Sequence, residues 1–241
     1  FSQPTMKRFS ILTVLLYTLL LSIVYAHALW IETNPVGQKG RVQTVTIVYA
    51  EPDDKPEKIV DWYSDVKEFE LWLIGPDGQK KKLAVTPVED HFIAEFTPQQ
   101  DGVYTLTIGH AAKELGGTTK YQFNATAAVT VGKSVTSPTL RLNELNVAET
   151  QFGKVYKVGK PISLAGFFKE QPSEKLHITV SSPSGWNRDI ITNADGLAEF
   201  TPIWPGRYKL EASKTEKTTG EHGGKTYQAI WRCATYVLTV Q

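Results

Sequence analysis

The chain has 241 residues, a formal net charge of +1, 41% hydrophobic residues and 21% charged ones. That balance excludes a disordered polar tail and leaves no basic excess with which to hold nucleic acid. The length accommodates one large domain or two of ordinary size.

The first readable element is a leader. Met6-Lys7-Arg8 precedes the apolar run "FSILTVLLYTLLLSIVYA", and no further charge occurs before Glu32. A basic start, an apolar stretch and small residues at its end form the pattern of a secretory signal, and the five residues before Met6 are set aside as upstream sequence. The run is short for a membrane span, which needs about 20 residues, so removal after Ala26 is expected. That cut makes His27 the first residue; a cut after Ala28 would discard it. The processed chain is expected in the periplasm or outside the cell, with no membrane span. Its single cysteine, Cys233, excludes an internal disulfide. Set in "AIWRCATYVLTV", it reads as a small buried hydrophobe.

Beyond the leader, apolar residues alternate in short runs: "VQTVTIVYA", "FELWLI", "FIAEF", "VYTLTI" and "ATAAVTV", then "ISLAGFF", "LHITVSS", "LAEFTP", "RYKLEA" and "TYVLTV". A period of two, punctuated by Gly, Pro, Asp and Asn, predicts strands. The two series are copies. "AEFTPQQDGVYTL" (94–106) returns as "AEFTPIWPGRYKL" (198–210), "FELWLIGPDG" (69–78) as "LHITVSSPSG" (176–185), and "GGTTKYQFNATAAVTV" (116–131) as "GGKTYQAIWRCATYVLTV" (223–240). Landmarks in one order, each displaced by about one small domain, indicate a duplicated fold. The expected architecture is all-β: two tandem immunoglobulin-like antiparallel sandwiches, residues 27–136 and 137–241, after a signal peptide ending at residue 26. "TLRLNEL" is a candidate first strand of the second unit.

Within each copy, Phe96 and Phe200 should point inward, Pro98 and Pro202 should end a strand, and Gly102 and Gly206 should turn the chain. Tyr104 and Tyr208 then stand where a tyrosine corner would bond back to the turn. Only the first unit carries "EPDDKPEKIVDWYSDVKE" (51–68), read as a long acidic loop.

Chemistry is sparse. HExxH, CxxC, G-x-S-x-G and phosphate-binding glycine loops are all missing from the sequence, and the expectation is a protein that binds without turnover. Among the five histidines, His27 is unusual: after cleavage its α-amino and ring nitrogens together form a chelating arc. A second imidazole, from His110 or His91, would complete an all-nitrogen site of the sort Cu(II) or Ni(II) favours. Glu32 is a weaker, harder donor. His110 is read as starting a loop after "VYTLTIG" and His91 as opening a strand. His177 is read as a structural strand residue and His222 as a solvent-exposed residue of a glycine-rich hairpin. Two other classes stay open. Tandem sandwiches serve as structural or adhesive modules at cell surfaces, with self-association through edge strands. Exposed aromatics such as Trp62, Tyr63, Trp186 and Trp204 would suit a glycan, whereas Trp72 in "FELWLIG" is read as core.

"AHALWIET", "VTIVYAEP", "FTPQQDGVYTLTIGH", "KYQFNATAAVTVGK", "YKVGKPISLAGFF" and "ADGLAEFTPIWPGRYKLEA" resemble the bacterial periplasmic proteins identified as nickel/cobalt-uptake accessory components (NikM-like). The resemblance runs over the whole processed chain. It implies a divalent metal (Ni, Co or Cu) as ligand, an envelope metal-uptake permease as partner, and His27, with His110 less firmly, as metal-binding residues.

Overall fold

The computed structural model describes residues 27–133, 142–152 and 154–241. The leader and the expected unit boundary near Ser137 lie outside the described residues.

The first copy supplies β1 (Ala28–Thr33), β2 (Val36–Gly37), β3 (Gln43–Ala50), β4 (Leu71–Ile74), β5 (Lys80–Leu83), β6 (Thr86–Pro87), β7 (His91–Phe96), β8 (Gly102–Gly116) and β9 (Thr119–Val131). The second supplies β10 (Leu145–Glu149), β11 (Val155–Tyr156), β12 (Ile162–Phe168), β13 (Gln171–Pro172), β14 (His177–Ser181), β15 (Asn187–Ile191), β16 (Leu197–Phe200), β17 (Gly206–Glu216), β18 (Gly220–His222), β19 (Lys225–Tyr227) and β20 (Ala229–Val240). The protein is an all-β, immunoglobulin-like pair of sandwiches. In the first unit, the sheet β1-β3-β7-β6 packs on β9-β8-β4-β5; in the second, β10, β12, β13 and β16 pack on β20-β17-β14-β15.

The copies match down to single hydrogen bonds. Phe96 and Phe200 are both buried, and each stacks obliquely on its tyrosine. Tyr104 Oη donates to Gln100 O (3.0 Å) and accepts from the amides of Gln99 and Gln100. Tyr208 Oη donates to Trp204 O (3.0 Å) and accepts from the amide of Trp204. These are the two tyrosine corners. Before each corner, Gly102 (φ +137°) and Gly206 (φ +133°) turn the chain so close to Pro76 and Pro183 that a Cβ would fall 2.4 and 2.7 Å from a proline carbon. Only glycine fits there. Gly40 and Gly159 repeat the pattern, each donating its amide to the proline that ends a strand, Pro98 or Pro202, at 2.8 Å.

The halves of the long sheet are not separate. β9 and β20 run parallel and pair from Thr119–Ala125 to Ala229–Thr235, fusing both units into one ten-stranded sheet. The strand order mirrors about this seam, so the two covering sheets lie on opposite faces. Side-chain alternation shows it. On β9, Phe123, Ala125, Ala127, Val129 and Val131 enter the first core while Ala128 enters the second. On β20, Ala234, Tyr236, Leu238 and Val240 enter the second core while Cys233 enters the first. A strand covered on both faces must be apolar or small on both, and Cys233 is fully buried as expected. Burial pushes its thiol well above the usual range, reinforced by the charge of Glu211. Arg232, also on β20, is buried at the seam; it donates Nε to Gln122 (2.9 Å) and pairs with Glu144 (2.5 Å) and Glu216 (3.0 Å). At the ends of the long sheet, β5 carries three lysines and β15 carries Arg188 and Asp189, charged edges that discourage strand addition.

The segment 51–68 is not the solvated loop its charges suggest. Two single 3₁₀ turns (Ile59–Asp61 and Val66–Glu68) fold it onto the first sandwich. Trp62, Val66 and Phe69 are buried there, and Trp62 packs on Tyr49, Phe69 and Phe92 while its Nε1 donates to Glu57 O. Trp62 is therefore core and unavailable to a glycan. Asp53, Asp54, Asp61 and Glu68 keep their charges toward water, Asp65 is buried, and the aromatics fill the sandwich end.

Candidate functional site

The histidines are dispersed. His27, directly before β1, stacks on Tyr49 (centroids 5.4 Å apart) and sets Nε2 2.9 Å from Glu57 Oε1. His91 opens β7 and pairs through Nδ1 with Asp90 (2.6 Å). His110 lies inside β8 and does not start a loop, because the hairpin β8–β9 runs on to Gly116 through a bulge after Ala111. Its Nε2 is 3.1 Å from Asp65 Oδ1, which also accepts the amide of Lys113 (2.9 Å). Burial raises the Asp65 carboxyl, but the Lys113 amide and His110 outweigh it and hold the acid below its usual range. His110 thus fastens the 59–68 segment to the bulge. His222 is half-buried, not free in solvent, with Nε2 2.8 Å from Ala112 O. His177 is exposed on β14 rather than packed. Glu32 is engaged by Arg207 and lies 3.9 Å from Lys209.

The structure therefore places His27, His91 and His110 in three pairs with three different carboxylates. Among the described residues, no group of three or more His, Cys, Asp or Glu side chains is arranged to hold a metal ion. The residue beside His27 is Glu57, which nothing in the sequence singled out.

What His27 does border is a hollow of about 360 Å³ at the seam. Tyr49 comes from β3, Tyr121 and Phe123 from β9, and Trp231 from β20; Thr119 and Thr215 complete the rim. Parallel pairing puts Tyr121 beside Trp231 and Phe123 beside Cys233, on the face of the sheet that belongs to the first unit. The rings meet edge to face: Trp231 stands 5.6 Å from Tyr121 and 6.0 Å from Phe123, and Phe123 stands 5.7 Å from Tyr49. Burial raises the Tyr49 hydroxyl, with Cys233 and Glu57 adding to it, so this tyrosine stays neutral through the physiological range. An aromatic floor with one imidazole and one carboxylate at its edge can stack on a flat or apolar group and hydrogen-bond it at the rim. It has no nucleophile paired with a base.

A second aromatic feature is exposed. Trp186 and Trp204, 42% and 38% accessible, form an edge-to-face pair at 6.4 Å on the loops that bound β15 and β17. Tyr63, by contrast, is tied by its hydroxyl to Glu114 O.

No protein-family model matches this chain, and no curated protein sequence matches it. Solved structures resemble it distantly. A DUF4785 family protein from Legionella pneumophila is 14% identical, covers 82% of this chain and 54% of its own, and gives a TM-score of 0.32. Salmonella alpha-2-macroglobulin reacted with methylamine is 11% identical over 89% of this chain, with a TM-score of 0.29. This chain spans 15% of that macroglobulin's length. A two-domain fibronectin type-III segment from chicken tenascin is 12% identical, covering 87% of this chain and 97% of its own, with a TM-score of 0.23. Among the described residues, no helix is long and apolar enough to cross a membrane.

Proposed function

We propose that this chain is a non-enzymatic structural or adhesive module that works outside the cytoplasm, holding two immunoglobulin-like units in one fixed relation. The observation that carries this reading is the continuous ten-stranded sheet. Units joined only by a linker reorient freely, whereas here rotation of one unit would break the β9–β20 ladder and strip Cys233 and Ala128 from the opposite cores. A stiff two-unit body sets a distance and an orientation, which is what a spacer or surface adaptor supplies. The test labels the exposed positions of Lys81→Cys and Lys175→Cys with a donor and an acceptor dye, the native thiol being inaccessible. One narrow distance distribution in single molecules is expected; a broad one, or two, removes the reading.

A second reading is favoured by the His27–Glu57 contact: binding of a divalent transition metal (Ni, Co or Cu), as cargo for an envelope uptake system. With processing after Ala26, the amine and imidazole of His27 would chelate the ion, with Glu57 the adjacent oxygen donor. His91 and His110, held by other carboxylates, take no part. Protein beginning at His27 should bind about one Cu(II) or Ni(II) per chain, and a form extended by one alanine should lose most of that affinity. Equal binding by both forms disposes of this reading.

A further inference from the structure

A second hollow, of about 430 Å³, adjoins the aromatic one and shares Trp231 with it. Its character is opposite. Glu51, Asp53 and Asp54 enter from the first unit on the segment that follows β3, and Glu211 enters from β17 of the second. Hydroxyls of Thr179, Ser181 and Ser213 lie between them, and no basic residue lines the hollow. The wall is built across the seam: Asn187 on β15 donates to Asp53 Oδ2 at 2.9 Å. Ser181 is 3% exposed, and its hydroxyl has no hydrogen-bond partner although it lines this hollow. A buried hydroxyl left unpaired is unfavourable, so one facing a cavity marks a place where a ligand group completes it.

We propose that this hollow binds a small organic cation bearing a primary ammonium group, with Glu211 and Glu51 as counter-charges, Ser181 as a hydrogen-bond acceptor and Trp231 as an aromatic wall. Four carboxylates facing one space repel one another, and a cation relieves that repulsion. The charged groups around Glu211 are few. Glu51 and the Asp53–Asp54 pair face it from the first unit. Lys209 precedes it by two residues on β17; its ammonium stands over the ring of Trp30, 3.9 Å from Glu32, and also feels the charge of Asp53 at the edge of the hollow. Asp189 on β15 is taken by the hydroxyl of Thr179, and on β20 the neutral Cys233 thiol lies behind it. Burial, then Glu51, pushes the Glu211 carboxyl up to about 7. A bound ammonium group reverses that, so binding releases a proton near neutrality and weakens as pH falls through about 7.

Titration calorimetry with 1,4-diaminobutane on the whole chain tests this. One saturable site is expected, about tenfold tighter at pH 8 than at pH 6, as follows from a group with a pKa near 7 that must ionise. At pH 8, Glu211→Gln should weaken binding at least tenfold and Glu51→Gln by several fold. Ser181→Ala, which breaks no bond in the free protein, should also weaken it several fold. Melting curves confirm that each variant is folded. Heats indistinguishable from dilution, an affinity unchanged in the Glu211→Gln and Ser181→Ala proteins, or displacement of the diamine by lower concentrations of calcium would each overturn the assignment.

Discussion

The two units share a frame and differ in what they hang on it. Both have the tyrosine corner, the glycine under a proline and the glycine amide bonded to a strand-ending proline. Only the first has the 51–68 segment, and only the second closes its β17–β20 connection with the separate ribbon β18–β19. Both unshared pieces cross the seam. Asp53 of the first unit meets Asn187 of the second, and His222 of the ribbon meets Ala112 O of the first. The residues kept identical at the turns are folding devices, and the clefts between units are lined by the unshared segment and by strand positions whose residue differs between the copies. Glu211 shows this at one position: counting from the corner tyrosine, its equivalent in the first unit is Thr107, a neutral residue facing the Asn143 amide.

Five substitutions, in three sets, sharpen the comparison. The largest effect is expected at the shared glycines. Gly102→Ala forces a Cβ into Pro76 at a φ that L-residues avoid, and should cost about 3–4 kcal/mol of stability. Gly206→Ala, with slightly more room against Pro183, should cost somewhat less. Thermal or denaturant unfolding measures both; indifference at either position breaks the equivalence of the turns. Next comes a carboxyl whose equivalent in the first unit is the neutral Thr107. The folded state holds the Glu211 proton more tightly than the unfolded chain, so stability is lost as pH rises from about 4.5 through about 7. Glu211→Gln should therefore stabilise the protein at pH 8, by on the order of 2 kcal/mol after allowance for partial exposure, and should make no difference at pH 4. Destabilisation at pH 8 would contradict the burial argument. The smallest effect separates the two corners. Tyr104→Phe strands two amides and Tyr208→Phe one, so the first should cost about 2 kcal/mol and the second about 1.

The duplicated frame was legible in the sequence because its signals are local. A Gly-x-Tyr entry, a strand-ending proline and alternating apolar residues each act within a few positions, and the structure places Phe96, Phe200, Tyr104 and Tyr208 as those signals require. The seam was less legible, since pairing β9 with β20 joins residues more than a hundred positions apart. Its trace lies in "NATAA" and "RCAT", where small residues replace alternation because both faces are covered. The 51–68 segment misled for a related reason. Its charges advertise solvent, while Trp62, Val66 and Phe69 recur at the spacing of one helical face and turn inward. The histidine site was read from His27 with His110 or His91 as partner, and the structure sets these three against separate carboxylates. Nothing in the sequence connects His27 with Glu57, thirty residues on, whose approach is set by the fold of the segment between β3 and β4.

The central claim is that the two units form one body through a continuous parallel ladder. Hydrogen exchange resolved to single amides tests it most directly, at the cross-seam donors within 119–125 and 229–235. Protection there comparable to that of Leu106 and Leu210, in the middle of their own units, is the predicted result. Seam amides that exchange orders of magnitude faster than those cores would contradict it, leaving two sandwiches that merely touch.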